Sequence, residues 1–207
     1  YVVQYLESDL NYIQRRCEHD GIFYLFLQEG SAESGDLGKL LFTDSNDKCP
    51  TILGNATIPY LPTGPEGMGT GPAPWQDSDS VFSFACRQNA IPNKVTLQDF
   101  NWRTPSTFLK CEADVDSQAA FATFYEYGDH YKDEAEGRWL AQVRAEDIKC
   151  RKKIFFGIST AKAFRAGHKF TLSQHPRPDF NTNYLLTEVR HRGEQPIEYL
   201  RGEGGTP

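Results

Sequence analysis

Between Pro62 and Ser80 the chain can hold neither a regular helix nor a central strand. Pro62, Gly64, Pro65, Gly67, Gly69, Gly71, Pro72 and Pro74 crowd that stretch. Proline removes a backbone donor, and glycine leaves the backbone conformationally free. Such a long loop is uncommon inside a compact domain unless it is functional or mobile. We read it as a linker or loop between two lobes. Residues 1–61 form part of a first lobe and 81–194 a second, with 195–207 as a tail that looks unpacked from Arg201 to Pro207.

On either side of the linker, periodicity alternates between helix and strand. Ser8 is placed to cap a helix whose first turn carries Asp9. Leu10, Ile13 and Cys17 give that helix one apolar stripe, and Gly21 suits its left-handed end. Ile22–Gln28 and Lys39–Thr43 read as two strands joined by a polar loop, Glu29–Gly38. Beyond the linker, Val81–Cys86, Val95–Trp102, Phe108–Val115 and Thr123–Tyr127 alternate as strands. A helix is expected from Asp133 to about Lys149, with Trp139, Leu140 and Val143 facing inward. Gly137 inside it costs about 1 kcal/mol relative to Ala, which points to tight backbone packing there. Strands resume at Lys153–Ser159 and Lys169–Gln174 around a turn at Arg165–Gly167, and Tyr184–Arg192 follows the turn at Asp179–Asn183. Two helices among about ten strands make an α+β, strand-rich fold, with barrel-like sheets the natural way to close its edges.

Composition excludes several classes. The longest apolar run, Ile22–Leu27, is far short of the roughly 20 residues needed to span a bilayer. The start, Tyr1-Val2-Val3-Gln4-Tyr5, lacks the basic and apolar regions of a signal peptide, and with no initiator Met the chain is expected to begin inside a longer protein. The formal net charge of −6 argues against nucleic acid. Arg151-Lys152-Lys153 is the best basic patch and reads as a solvated edge. Cys17, Cys49, Cys86, Cys111 and Cys150 are an odd set without short spacings. They fit neither a disulfide framework nor a zinc site and read as reduced, mostly packed thiols.

Chemical motifs are sparse. Gly157-Ile158-Ser159-Thr160-Ala161 approximates a nucleophile elbow but runs on towards another strand instead of a helix. Asp129-His130-Tyr131-Lys132-Asp133-Glu134 gathers an imidazole and three carboxylates, yet reads as a solvated loop and not a metal site. His168, His175 and His191 lie on or beside successive strands and could approach one another. Gly30–Asp36 imitates a phosphate loop in glycine spacing alone, because its Lys-Ser/Thr pair is missing. Asp44 and Asp47 would serve glycoside hydrolysis only if they flanked a cleft. No catalytic residue, cofactor or metal ligand is assigned.

Six segments, in order, nevertheless resemble one family. They are Tyr5-Leu6-Glu7-Ser8-Asp9-Leu10 through Glu18–Tyr24; Leu41-Phe42-Thr43-Asp44-Ser45; Val95–Ser106; Tyr125–Tyr131, with Gly137 and Arg144 downstream; Phe164–Leu172 with His175-Pro176; and Asn183–His191. Each is weak alone, but together they cover about residues 4 to 192. They are similar to the VgrG spike proteins of type VI secretion and to the late control protein D and tail-hub proteins of contractile-tail phages. The resemblance implies a phage-hub-like fold of barrel lobes and a structural role without catalysis. It implies a homotrimer at the base of a puncturing needle, presenting a pseudo-sixfold face to a hexameric, Hcp-like tube protein. Effectors or a tip protein would join through a spike region expected to follow this segment, and first-lobe sequence is expected before Tyr1. Assembly in the bacterial cytoplasm and later translocation follow from the same resemblance, with no nucleic acid and no stable membrane insertion by this segment.

Overall fold

A computed structural model describes residues 2–27, 38–62, 79–117 and 120–193, with residues 120 and 121 described by their backbone alone. The phosphate-loop imitation, Gly30–Asp36, and nearly all of the Pro/Gly segment lie outside the described residues. Helix α1 (Asp9–His19) starts where its cap was expected, because Ser8 Oγ accepts the Asn11 N–H at 3.3 Å. Beyond its end Gly21 adopts φ +66°, and the Ile22 N–H donates to Cys17 O at 2.8 Å. β1 (Phe23–Leu27) then pairs antiparallel with β2 (Lys39–Thr43), setting Tyr24 opposite Phe42 and Leu25 opposite Leu41. The α1 stripe is not inward-facing. The helix contains no buried residue, and Leu10 and Ile13 are 56% and 42% exposed.

The first core forms between a three-stranded sheet and the second helix. β5 (Pro92–Asp99) is the central strand, with β6 (Leu109–Asp114) antiparallel on one side and β7 (Ala120–Tyr127) parallel on the other. Alternation turns Val95, Leu97, Leu109 and Cys111 towards α2 (Glu134–Cys150). The helix meets them with Gly137, Leu140, Ala141 and Ala145. Residues 137, 141 and 145 recur every fourth position, so small side chains line one face and the backbone lies close to the sheet. Trp139 is two positions from Gly137, about 200° around the helix. It therefore points away, 47% exposed, contrary to the inward orientation expected for it. Asp133 caps the helix by accepting the Glu136 N–H, while the Glu136 carboxylate accepts the Lys132 N–H, a reciprocal box one residue displaced. Tyr131 enters beneath, its hydroxyl 3.1 Å from Leu97 O and 2.9 Å from Leu109 O.

The second core contains Ile52, Ile58, Val81, Phe164, Phe170, Leu172 and Phe180. β4 (Val81–Gln88) and β8 (Lys153–Ser159) form an antiparallel ribbon along one side. β9 (Lys169–Ser173) lies between β10 (Asn183–Leu185) and β3 (Thr57–Pro59) on the other. Phe84, Phe155, Phe180 and Tyr184 interlock there with ring centroids 4.9–5.8 Å apart. β3 runs parallel to β9, with Ile58 opposite Leu172. One sheet thus joins residues from both sides of the 62–80 segment. β10 stops at Leu185, well short of the strand expected to Arg192; past it the pairing continues through Leu186 alone, whose N–H donates to His168 O and whose C=O accepts the Gly167 N–H. Among the described residues no helix is long and apolar enough to cross a membrane.

Two substitutions test the helix–sheet contact. A Cβ at Gly137 would stand 2.6 Å from both Cys111 Sγ and the Tyr131 ring. Gly137→Ala should gain about 1 kcal/mol of helix propensity and lose more to overpacking, a net loss of about 1–2 kcal/mol in urea unfolding. Cys111→Ala should recover part of it, and an unchanged midpoint would contradict the close approach. Tyr131→Phe should cost about 1–2 kcal/mol by removing the donor that two buried carbonyls share.

Candidate functional site: uncovered sheet faces and edges

Several of the chemical motifs among the described residues are taken up by structural bonds. Ser159 ends β8, where its Oγ donates to Ser80 O at 2.7 Å and accepts the Ala161 N–H at 2.9 Å. No histidine or carboxylate hydrogen-bonds it among the described residues, so it joins strand ends and meets none of the requirements of an activated nucleophile. In the 129–134 segment, Asp133 caps α2, Glu134 pairs with Arg138 at 2.5 Å, and Asp129 pairs with Arg144 at 3.4 Å. Asp129 Oδ2, Asp99 Oδ2 and Arg144 Nε are buried without a hydrogen-bond partner. No group of three or more His, Cys, Asp or Glu converges as a metal-binding set among the described residues.

The three histidines do not form a cluster with one another. His168 Nδ1 lies 3.1 Å from Ala166 O, and His191 Nε2 lies 3.0 Å from Phe164 O. His175 Nδ1 accepts the Arg177 N–H at 3.0 Å while its ring packs on Tyr60 and Phe180. Asp44 and Asp47 are exposed, and Ser45 caps the short turn that holds Asp47. Of the basic triplet, Arg151 pairs with Asp147 at 2.8 Å and Lys152 with Asp116. The thiols are less packed than expected. Cys49 and Cys111 are buried, and burial pushes both thiols up, but Cys86 and Cys150 are exposed at the surface.

What remains is surface. The face of the β6–β5–β7 sheet away from α2 forms a concavity of about 710 Å³, lined by Lys94, Thr96, Gln98, Lys110, Glu112, Tyr125 and neighbours. Tyr125 Oη donates to Gln98 Oε1 at 3.1 Å, and Glu112 lies 2.9 Å from Lys94 and 3.0 Å from Lys110. Those two ammonium groups draw the Glu112 carboxyl down to about 2. Phe100, Trp102, Phe108 and Tyr127 stand exposed at the end of this face, Trp102 74% and Phe108 73%. The β4–β8 ribbon leaves Ile154, Phe156 and Ile158 uncovered, with Arg87 over the Phe156 ring at 4.8 Å. On the β1–β2 hairpin, Tyr24, Phe26, Leu40 and Phe42 share the outer side. Sequence reading placed these strands but had no signal for which face would stay uncovered, since alternation is equally strong when a partner covers the outer side.

Exposed aromatic residues on several faces of one chain fit a part that is covered by assembly. Comparison with known proteins points the same way. The profile of the phage tail baseplate hub (GPD) family matches residues 1–197. The type VI secretion system spike proteins VgrG1c and VgrG1a of Pseudomonas aeruginosa are each 28% identical over 99% of this chain, which spans 27% and 30% of them. The actin cross-linking toxin VgrG1 of Vibrio cholerae is 26% identical over the whole chain, which spans 18% of that protein. The chain therefore corresponds to less than a third of the length of these relatives.

The lysine-bracketed carboxylate gives a pH signature. Its depressed value means that its stabilising contribution is present above the ordinary carboxylate range and is lost as pH falls towards about 2. Glu112→Gln should lower the thermal midpoint slightly at pH 7, because exposed pairs are screened. The gap from wild type should close between about pH 4.5 and 2. A gap that persists at pH 2 would mean that the pairing is not its source.

Proposed function

This chain belongs to the phage tail baseplate hub family, and we propose that it is a structural part of a type VI secretion spike. In this reading it lies in the trimeric base of the puncturing needle, caps a hexameric Hcp-like tube and helps deliver effectors carried further along the spike. The observation that carries the proposal is co-linear similarity to spike proteins across 99% of the chain. Open sheet faces with exposed aromatics support it, since such surfaces become stable when another subunit covers them.

The mechanism is one of symmetry and packing. A trimer meeting a sixfold ring needs two similar contact surfaces per chain, so that three chains offer six. Residues 1–61 would contribute to the first hub lobe, 81–194 would form the second, and 195–207 would lead towards the spike. No catalytic residue, cofactor or metal belongs to the proposal, because Ser159 and the 129–134 carboxylates are already engaged structurally. Cross-linking of actin is named for one relative, of which this chain spans 18%. Spike proteins of this kind would assemble in the bacterial cytoplasm and leave through the secretion machine.

A phage or prophage tail hub is the second reading, favoured by the phage-tail description of the matching family. Light scattering across a dilution series, paired with cosedimentation on rings of the tube protein, tests the shared core of both readings. A concentration-stable trimer that binds the rings is the expected result. A monomer that ignores them would overturn the trimeric cap for this segment. Loss of tube-protein secretion on deleting the gene, against loss of phage particles, separates the two machines.

A further inference from the structure

Two strands of this chain end their sheets without the usual protection. Among the described residues β7 has one neighbour, β5, and β8 has one, β4. Ala122, Thr123, Phe124 and Tyr125 are exposed in an unbroken run, and so are Phe156, Gly157 and Ile158. Consecutive strand residues point to opposite faces, so each run leaves both faces and the edge between them open. Charged side chains are a common means of keeping other chains off a sheet edge. β6, the opposite edge of the β7 sheet, carries Lys110, Glu112 and Asp114. β7 has Glu126 as its single charge, and β8 has Lys153. Phe124 lies beside Val95 on the α2 side of the sheet, yet it stays 41% exposed.

Hydrogen-bond phase shows which groups these edges offer. The Gly128 N–H donates to Gln98 O, and the residues that bond a given neighbour alternate along a strand. Phe124 and Glu126 therefore pair with β5, while Thr123, Tyr125 and Tyr127 aim their N–H and C=O groups outward. On the ribbon, the Asn89 N–H donates to Lys152 O, two positions from the opposed pair Arg87 and Ile154. Ile154 and Phe156 thus bond β4, and Lys153, Phe155 and Gly157 aim outward. Set antiparallel with Tyr127 opposite Lys153, the two strands bring their outward groups together, because Tyr125 meets Phe155 and Thr123 meets Gly157. β7 has eight residues and β8 seven, so this register engages the whole of β8. It also sets Phe124 against Phe156 and Ala122 against Ile158. Glu126 falls in one cross-strand row with Ile154 and Arg87, and no like charges oppose each other.

We infer that β7 of one copy of this chain pairs antiparallel with β8 of the next, joining the β6–β5–β7 sheet to the β8–β4 ribbon across the contact. The inference rests on the trimeric reading above and names the surface that builds it. The occupant is a second copy because the chain itself supplies the match in length, phase and charge. The two edges are different, so the contact is head to tail, and such a contact makes a ring when its rotation closes. Backbone pairing supplies the affinity, while the Phe124–Phe156 contact and Glu126 fix the register.

The test combines cross-linking with a backbone lesion. Opposed residues of a non-hydrogen-bonded antiparallel pair lie about 4.5 Å apart at Cα, within disulfide reach. Phe124→Cys and Phe156→Cys chains, each also carrying Cys17→Ser, Cys86→Ser and Cys150→Ser, are coexpressed and mildly oxidised. Disulfide-linked dimers should form in the mixture and be absent from either variant alone. Tyr125→Pro removes one outward N–H and leaves the bonds to β5 intact. In light scattering it should raise the concentration at which the trimer dissociates by about tenfold. Tyr125→Val keeps that N–H and should retain the trimer, with the circular dichroism of both variants matching wild type. If proline disturbs the fold, the mixed disulfide decides alone. A trimer that shows neither the mixed disulfide nor the proline effect would overturn this inference and leave the trimeric reading standing. Disulfides within one variant alone would overturn the head-to-tail pairing, and a monomer at every concentration would overturn both readings for this segment.

Discussion

The approach of α2 to β5 and β6 sets the position of everything in the first core. Gly137, Ala141 and Ala145 give the helix a face without bulk, and Leu140 is the large side chain buried beside them. That face lets Tyr131 slide between helix and sheet, where its hydroxyl bridges the main chains of β5 and β6. Burial pushes this phenol far above its ordinary range, so it remains a neutral donor at any physiological pH. The carboxylates on either side of it cap and anchor α2. A segment that gathers acids and a histidine in sequence is thus the device that seats a helix.

Local chemistry was legible wherever one residue decides the outcome. Ser8 and Asp133 cap as their side chains predict, Gly21 and Gly167 take positive φ, and the β1–β2 and β8 boundaries follow alternation. Gly137 announced a close contact, although its partners, Cys111 and Tyr131, could be found only in three dimensions. Trp139 was misjudged because size was weighed above angular position, and the small residues had already claimed the inner face. β3 was missed altogether. Thr57-Ile58-Pro59 is too short to show a period, and it is a strand only because β9 lies beside it.

The candidate site was legible in kind but not in place. Of the residues that motif reading singled out, Ser159, Asp133, Glu134, His168, His175 and His191 each hold a structural partner. Where the molecule would meet others was hidden, because contact surfaces are properties of sheets and edges and not of motifs. The polar, ion-paired face over β5 and the apolar ribbon of β8 differ in character.

The parallel ladder between β3 and β9 also governs when the protein can fold. Ile58 and Leu172 face each other across a long stretch of sequence, so the second core cannot close until β9 has left the ribosome. Contacts of such long sequence separation slow folding and prolong the exposure of unfinished strands. The α2 core, by contrast, is complete by Cys150. Synthesis from the amino end therefore delivers a finished helix–sheet unit first, and leaves β3 waiting for a strand made well after that unit.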